Sequence, residues 1–367
     1  MNGIPRLAPI ADPTEQFGSG LMGQFVDLDG QVFYRISEYE EMPPFLMSVP
    51  SETDLWMFLA SGGGLAAGRV DANGSLFPYE TVDRLHNGHH YTGPVTVLLV
   101  ETGDAGETFR WEPFSGTGAE DPAVGRAIYK NTTGNQVVFE EMHHDLGLRF
   151  RYRWAACDDL GWVRTATLSN VGEHTRELRL LDGLRNLLPH GAPLALYQQA
   201  SNLVDAYKKS EIDDSSGLGI FSLTSAISDR AEAGEMLRAN VVWSVGLENP
   251  RYHLSLGTLA DFRAGRVVSG ERELNGTRGN YFVSSRLAVE PGAAERWHQI
   301  ADSSLDQIGI ADLRRRIRDG VVTDDTIESL IEEATGDLRR NVGSADGIQL
   351  TGRAEAWAHH FANVLFN

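Results

Sequence analysis

A chain of 367 residues, 41% hydrophobic and 23% charged, has room for about two domains, or for one large β domain with an appendage. Its 51 acidic against 32 basic side chains give a formal net charge of -19, which repels a phosphate backbone and excludes nucleic acid from the expected partners; a neutral, polyhydroxylated or cationic ligand suits such a surface better. Its single cysteine, Cys157, rules out an internal disulfide and a cysteine-based zinc site.

The opening residues, MNGIPRLAPIADPTEQFG, lack the basic start and apolar core of a secretory leader. No apolar run approaches the roughly 18 to 20 residues that span a bilayer. A cytoplasmic protein without membrane contact is therefore expected.

From about Leu21 to Arg296 strand signals follow one another. Gln24–Leu28, Arg149–Trp154 and Val163–Leu168 alternate apolar with polar residues, and Gln31–Arg35 is rich in β-branched and aromatic side chains. Asp29-Gly30, Asn73-Gly74, Asn87-Gly88 and Asn275-Gly276 supply turns. Helical periodicity is scarce, so antiparallel sheets packed as a sandwich or barrel are predicted.

The densest chemistry lies in Ser61–His90, SGGGLAAGRVDANGSLFPYETVDRLHNGHH. The glycine run is no P-loop, because no Lys-Ser/Thr closes it, and no dinucleotide fingerprint, because a strand and hairpin turn follow where a helix should. A tight chain crossing is expected instead. His86, His89 and His90, like His143-His144-Asp145, lack a fourth ligand at metal spacing, so neither a metal nor a cofactor is expected. Arg69, Asp71, Tyr79, Asp83 and His86 make a mix of donors, acceptors and an aromatic ring. That mix suits sugar hydroxyls, and it suits equally a polar network bracing two sheets. These five are the candidate substrate-binding residues.

No catalytic pair can be singled out among 51 carboxylates, although glycoside cleavage needs two about 5 to 10 Å apart. Leu180–Gly191 and Asn202–Glu211 set charged residues among apolar ones; if buried they must be paired, as braces between elements or as cleft walls. After about Ala301 the texture turns helical. Leu305, Ile308, Leu313 and Ile317 predict one helix, capped by Asp302 or Ser303, whose Arg314-Arg315-Arg316 and Arg318 form a solvated face. A second helix is predicted over Asp324–Arg340, a linker over Gly343–Gly347, and a third helix over Ala354–Phe366. The apolar end, AEAWAHHFANVLFN, is expected to open a further domain.

WMFLASGGGLAAGRVDANGSLFPYETVDRLH, followed by GWVRTATLSNVGEHTRELRLLDGLRNLLPHG, resembles the N-terminal supersandwich of cellobiose-phosphorylase-like proteins, which are related to family 94 glycoside hydrolases and phosphorylases. LVDAYKKSEID, AISDRAEAGEMLRANVVWSVGL and the terminal HHFANVLFN extend the likeness. The resemblance implies a mainly β fold: a large antiparallel supersandwich of the galactose-mutarotase-like kind over residues 1–300, and a helical linker over 301–367. It further implies a downstream (α/α)6 barrel that holds the catalytic acid, so no catalytic residue is carried onto this chain. The implied partners are an oligosaccharide or β-glucoside and that barrel; a homo-oligomer is compatible. Two alternatives stay open. One is a free-standing mutarotase-like epimerase or lyase using His86, His89 or His143 with a carboxylate. The other is a sugar-binding module with Trp56, Tyr79 or Trp111 as stacking platforms.

Overall fold

A computed structural model describes residues 22–103, 107–115, 121–192, 195, 204–224 and 238–345. The predicted helix over Ala354–Phe366, the apolar end and the opening residues lie outside them. The chain runs through β1 (Met22–Leu28), β2 (Gln31–Ser37), β3 (Leu46–Val49), β4 (Leu55–Ala60), β5 (Leu65–Arg69), β6 (Ser75–Phe77) and the short helix α1 (Val82–Gly88). Then come β7 (Gly93–Glu101), β8 (Thr108–Trp111), β9 (Val124–Asn131), β10 (Val137–His143), β11 (Leu148–Cys157), β12 (Gly161–Asn170) and β13 (Arg176–Leu187). The remainder is β14 (Lys208–Ile212), β15 (Gly219–Leu223), β16 (Arg238–Val245), β17 (Arg251–His253), α2 (Leu256–Arg263), β18 (Glu273–Asn275), β19 (Gly279–Val289) and β20 (Ala294–Asp306). Two helices close it, α3 (Gln307–Arg318) and α4 (Asp324–Ala345).

The fold is mainly β, with large antiparallel sheets followed by helices. An eleven-stranded sheet has the order β1-β2-β9-β10-β11-β12-β20-β16-β15-β14-β18; a five-stranded sheet runs β17-β19-β13-β7-β8, and a four-stranded one β3-β4-β5-β6. Period-two alternation decides which face meets what. On β11 and β12 the even-numbered Phe150, Tyr152, Trp154, Trp162, Ala166 and Leu168 enter the core shared with the two smaller sheets. The odd-numbered Ala155, Cys157 and Val163 turn the other way, onto Leu313 of α3 and Ile327, Ile331 and Ala334 of α4. The five-stranded sheet repeats the scheme, with Val97, Leu99, Leu181 and Phe282 of its outer face covered by Leu259 and Phe262 of α2. Trp154, Trp162, Trp243 and Trp297 are fully buried. At about 200 Å² each and ~25 cal/mol per Å², every one of them contributes on the order of 5 kcal/mol of transfer free energy.

Three local expectations are corrected. Asp302 and Ser303 cap no helix: β20 continues to Asp306, whose carboxylate accepts from the Gly309 amide at 2.8 Å and caps α3. The strand persists because β16 pairs with it as far as Arg238 opposite Asp306. Asn87-Gly88 is the end of α1 rather than a hairpin turn, since a helix C-terminus and a tight turn use the same residue pair. Residues 343–345, expected as linker, belong to α4.

Candidate functional site

The site follows from an unequal pairing of β7. Its neighbour β13 accompanies it from Gly93 to Val100, whereas β8 pairs only with Leu98–Glu101. Among the described residues no strand pairs with Pro94, Val95 and Thr96 on that side, and there a cleft of about 390 Å³ opens. Its walls include Arg110, Glu112, Tyr152, Arg164, Arg185 and Arg263, drawn from four strands, the segment after β8 and the end of α2.

On the inner side, Thr96 and Asp182 stand opposite each other in register. Arg164 reaches them from the large sheet: its Nη1 donates to Asp182 Oδ2 at 2.7 Å, and Thr96 donates to Asp182 Oδ1 at 2.6 Å. The Trp297 indole donates to the same carboxylate at 2.6 Å. Arg164 is 1% exposed and Asp182 0%, so this pair is a fully desolvated brace between the sheets. The Arg164 guanidinium also lies 4.8 Å from the centroid of the Tyr152 ring, and its Nε has no hydrogen-bond partner among the described residues.

Arg185 is the less usual group. Its Nη1 donates to the His90 carbonyl at 2.7 Å, and its Nη2 to those of His89 and Pro94 at 2.6 and 3.0 Å. Every one of these acceptors is backbone, and among the described residues no carboxylate forms an ion pair with it. Burial, then the charge of Arg263, pushes this guanidinium down to about 10, with Glu112 opposing. Glu112 itself bridges two other arginines, accepting from Arg263 Nη2 at 2.7 Å and lying 3.3 Å from Arg110 Nε. Four arginines thus meet two carboxylates, Glu112 in the lining and Asp182 behind Arg164. A chain of net charge -19 builds a cleft with a formal surplus of two positive charges.

Ser61–His90 contributes, but through its ends. Gly62, Gly63, His89 and His90 line the cleft. A Cβ on Gly64 would sit 2.0 Å from the Leu85 carbonyl, so glycine lets α1 press against the β4–β5 turn and deliver His89 and His90 beneath Arg185. The glycine run, expected as a chain crossing, is the hairpin turn that joins the paired strands β4 and β5 of one sheet.

The five residues singled out between these ends do not line the cleft. Arg69 braces three acidic residues instead: Asp302 at 2.7 Å, Asp54 at 2.8 Å and Asp158 at 3.0 Å. Asp71 caps a single helical turn through the amides of Asn73 and Gly74. Tyr79 packs edge-on against Trp56, with ring centroids 5.5 Å apart. Asp83 lies in the first turn of α1 and His86 in its last.

Of the other aromatic and histidine candidates, Trp111 is buried and donates to Glu141 at 2.7 Å, which removes it as an exposed platform. His143 is buried against the rings of Phe109 and Trp111. A His–carboxylate contact does occur outside the cleft: His298 Nε2 and Asp324 Oδ1 are 2.7 Å apart, and with Glu328 they place three ligand-type atoms within 4.8 Å. Arg153 grips both oxygens of Glu328, at 2.6 and 2.8 Å, and Arg296 lies 3.7 Å from Asp324. This cluster is a clamp that seats α4 on the large sheet. Cys157 is inert as well, its thiol pushed up to about 12 by burial.

The cleft arginines escaped sequence reading because they are spread from residue 110 to 263 with no local motif. The one signal was charge among apolar residues in Leu180–Gly191, and it resolves both ways. Asp182 is a brace and Arg185 a cleft wall.

No protein-family model matches the chain, and no curated protein matches it. Among solved structures it is similar to a heparinase III, at 10% identity and a TM-score of 0.31, over 72% of this chain and 35% of that one. It is similar to a protein described as a kojibiose phosphorylase from human microbiome, at 7% identity and a TM-score of 0.37, over 83% of this chain and 32% of that one. It is also similar to a GalM/aldose epimerase homologue from C. elegans, at 10% identity and a TM-score of 0.37, over 72% of this chain and 100% of that one. The chain spans about a third of the length of the heparinase and phosphorylase chains. At these values the likeness assigns no activity, and the resemblance to family 94 rests on the wording of its segments alone.

Proposed function

We propose that this chain is the sandwich part of a carbohydrate-active protein, that it seats a saccharide in the β7-edge cleft, and that the acid for any glycosidic cleavage belongs to a helical barrel outside these residues. The observation that carries the reading is the cleft itself. It has a volume of about 390 Å³, within the usual range for a small-ligand site, and it presents planar guanidinium donors, the hydroxyl-bearing side chains of Ser115 and Tyr152, and the edge of β7 that β8 leaves unpaired. Glu112 is occupied by two arginines and Asp182 by three donors, so neither carboxylate is free to shuttle a proton. That favours a binding wall over a self-sufficient active site.

Calorimetric titration of the purified chain with a panel of neutral and acidic oligosaccharides tests the first half. Saturable binding that Arg185→Ala abolishes is expected, and failure of every sugar to bind overturns it. Assay of β-glucosides with and without inorganic phosphate tests the second half. The expected result is no turnover by this chain alone, and robust turnover places the catalyst inside it.

A further inference from the structure

A second charged cleft, about 380 Å³, lies on the outer face of the five-stranded sheet. Arg179 of β13 and Arg286 of β19 stand directly opposite each other in register. Arg251 of β17 pairs with Ser284, two residues from Arg286 and so on the same face. Like charges directly opposite in a sheet destabilise it, yet among the described residues no carboxylate forms an ion pair with any of these three. Arg179 donates only to the Gly265 carbonyl, at 3.2 Å. Arg266 is paired with Asp261 at 3.2 Å, and Glu248 is the one acidic residue in the lining.

The two clefts adjoin. Consecutive residues at the end of α2 divide between them, Phe262 lining the second and Arg263 the first. Arg110 of the first cleft donates to the Arg263 carbonyl at 3.4 Å, and Arg179 of the second donates to Gly265, two residues on. Arg185 and Arg179 lie six residues apart on one strand, a span of about 20 Å at ~3.3 Å per residue. Eight of the chain's 32 basic residues line these two clefts, against Glu112, Asp182, Glu248 and Asp261. Of the Phe and Tyr rings that line the clefts, Tyr152 and Phe262 are each 3% exposed and Phe114 is half-buried, a poor platform for a row of stacked bases.

We propose that the two clefts together bind an acidic saccharide, an oligomer bearing carboxylate or sulfate groups on successive sugars, laid across the turn that ends α2. This rests on the reading of the first cleft as a sugar site. An anion bridging the second cleft relieves the Arg179–Arg286 opposition, and one ligand that reaches both clefts gains affinity from the linkage.

The test is calorimetry on the full chain at low and high salt. The probes are a galacturonate disaccharide and hexasaccharide, a sulfated glycosaminoglycan hexasaccharide, cellohexaose, and a single-stranded DNA 12-mer. The expected result is that at least one acidic hexasaccharide binds ten-fold or more tighter than the disaccharide and cellohexaose, with affinity falling as salt rises. Which hexasaccharide wins identifies the acidic group. Arg251→Ser with Arg286→Ser, both exposed positions, removes the length advantage and leaves disaccharide binding unchanged. Equal binding of cellohexaose overturns this proposal and leaves the sugar-site reading standing, whereas failure of every sugar overturns both. DNA binding as tight as the acidic sugars overturns it in favour of a general anion surface. A hexasaccharide no better than the disaccharide, or a double variant without effect, confines the ligand to the first cleft and overturns it too.

Discussion

Replacing Asp182 by Asn tests the brace beneath the cleft. The side chain keeps its volume but loses the charge that Arg164 meets at 2.7 Å, and its amide nitrogen, in place of one oxygen, turns a donor either toward Thr96 or toward Arg164 and the Trp297 indole, all of which themselves donate there. Both members of the ion pair are at most 1% exposed, so water cannot take over as partner. Removing one partner of such a pair costs about 3–5 kcal/mol, a large part of the ~5–15 kcal/mol that holds a typical protein together. Asp182→Asn is therefore expected to lose at least about 3 kcal/mol, read as a lowered urea midpoint at unchanged m-value. The single Arg164→Met should lose a similar amount. The double variant Arg164→Met, Asp182→Leu removes both charges and leaves neutral groups unsatisfied, the Thr96 and Trp297 donors and the Gln299 oxygen, with no charge left buried alone. It should lose less than the two single changes together, with a coupling of at least about 2 kcal/mol. If Asp182→Asn stays within 1 kcal/mol of the parent, or the two single losses add to within ~0.5 kcal/mol, the buried brace does not hold the sheets as described.

The histidine at the α4 clamp sets a pH dependence. Burial, opposed by Asp324, lowers the pKa of His298 below its ordinary 6.5, so the folded state favours the neutral ring. Its contribution is present above pH 6.5 and is lost as pH falls toward the lowered folded value. Burial also lowers His89, His143, His190 and His253, so stability should fall between pH 7.5 and 5. His298→Asn should flatten that slope by up to one proton's share, about 1.4 kcal/mol per pH unit, in melting curves taken across the range, and an unchanged slope refutes the assignment. Gly64→Ala places a methyl 2.0 Å from the Leu85 carbonyl and must push α1 off the β4–β5 turn. A loss of about 1–3 kcal/mol in the urea midpoint is expected, together with weaker saccharide binding as His89 and His90 withdraw from Arg185. A parental midpoint would show that the approach is not tight.

Strands were legible wherever one face is buried, as in Arg149–Trp154, because alternation is imposed by the two-sided environment of a sheet. The end of β20 was not, because Leu305 and Ile308 mimic helical spacing, and what keeps residues 301–306 extended is pairing with β16, some sixty residues away in sequence. Asp302 carried the same ambiguity. A cap is a local event, whereas its actual partner Arg69 lies 233 residues off. The cleft was hidden for a related reason. Net charge sums over the whole chain, while the local field in a cleft depends on a few guanidinia gathered by topology, which the sum does not show. Ser61–His90 reaches the cleft only through Gly62, Gly63, His89 and His90, not through the five side chains singled out in it. Its glycines and final histidines matter for backbone approach, which no inventory of functional side chains reveals.

The short reach of β8 bears on how the molecule avoids its own copies. The stretch of β7 that no described strand pairs is a sheet edge, the kind of surface onto which a strand from another chain can add. Pro94 removes one amide donor from it, and the arginines around it bar any second molecule that does not bring anions. The charge that would draw in a ligand thus also guards an edge. Neutralising the cleft to obtain a variant that cannot bind should produce a chain more prone to self-association, so the solubility of such a variant reports on the edge as directly as its affinity reports on the site.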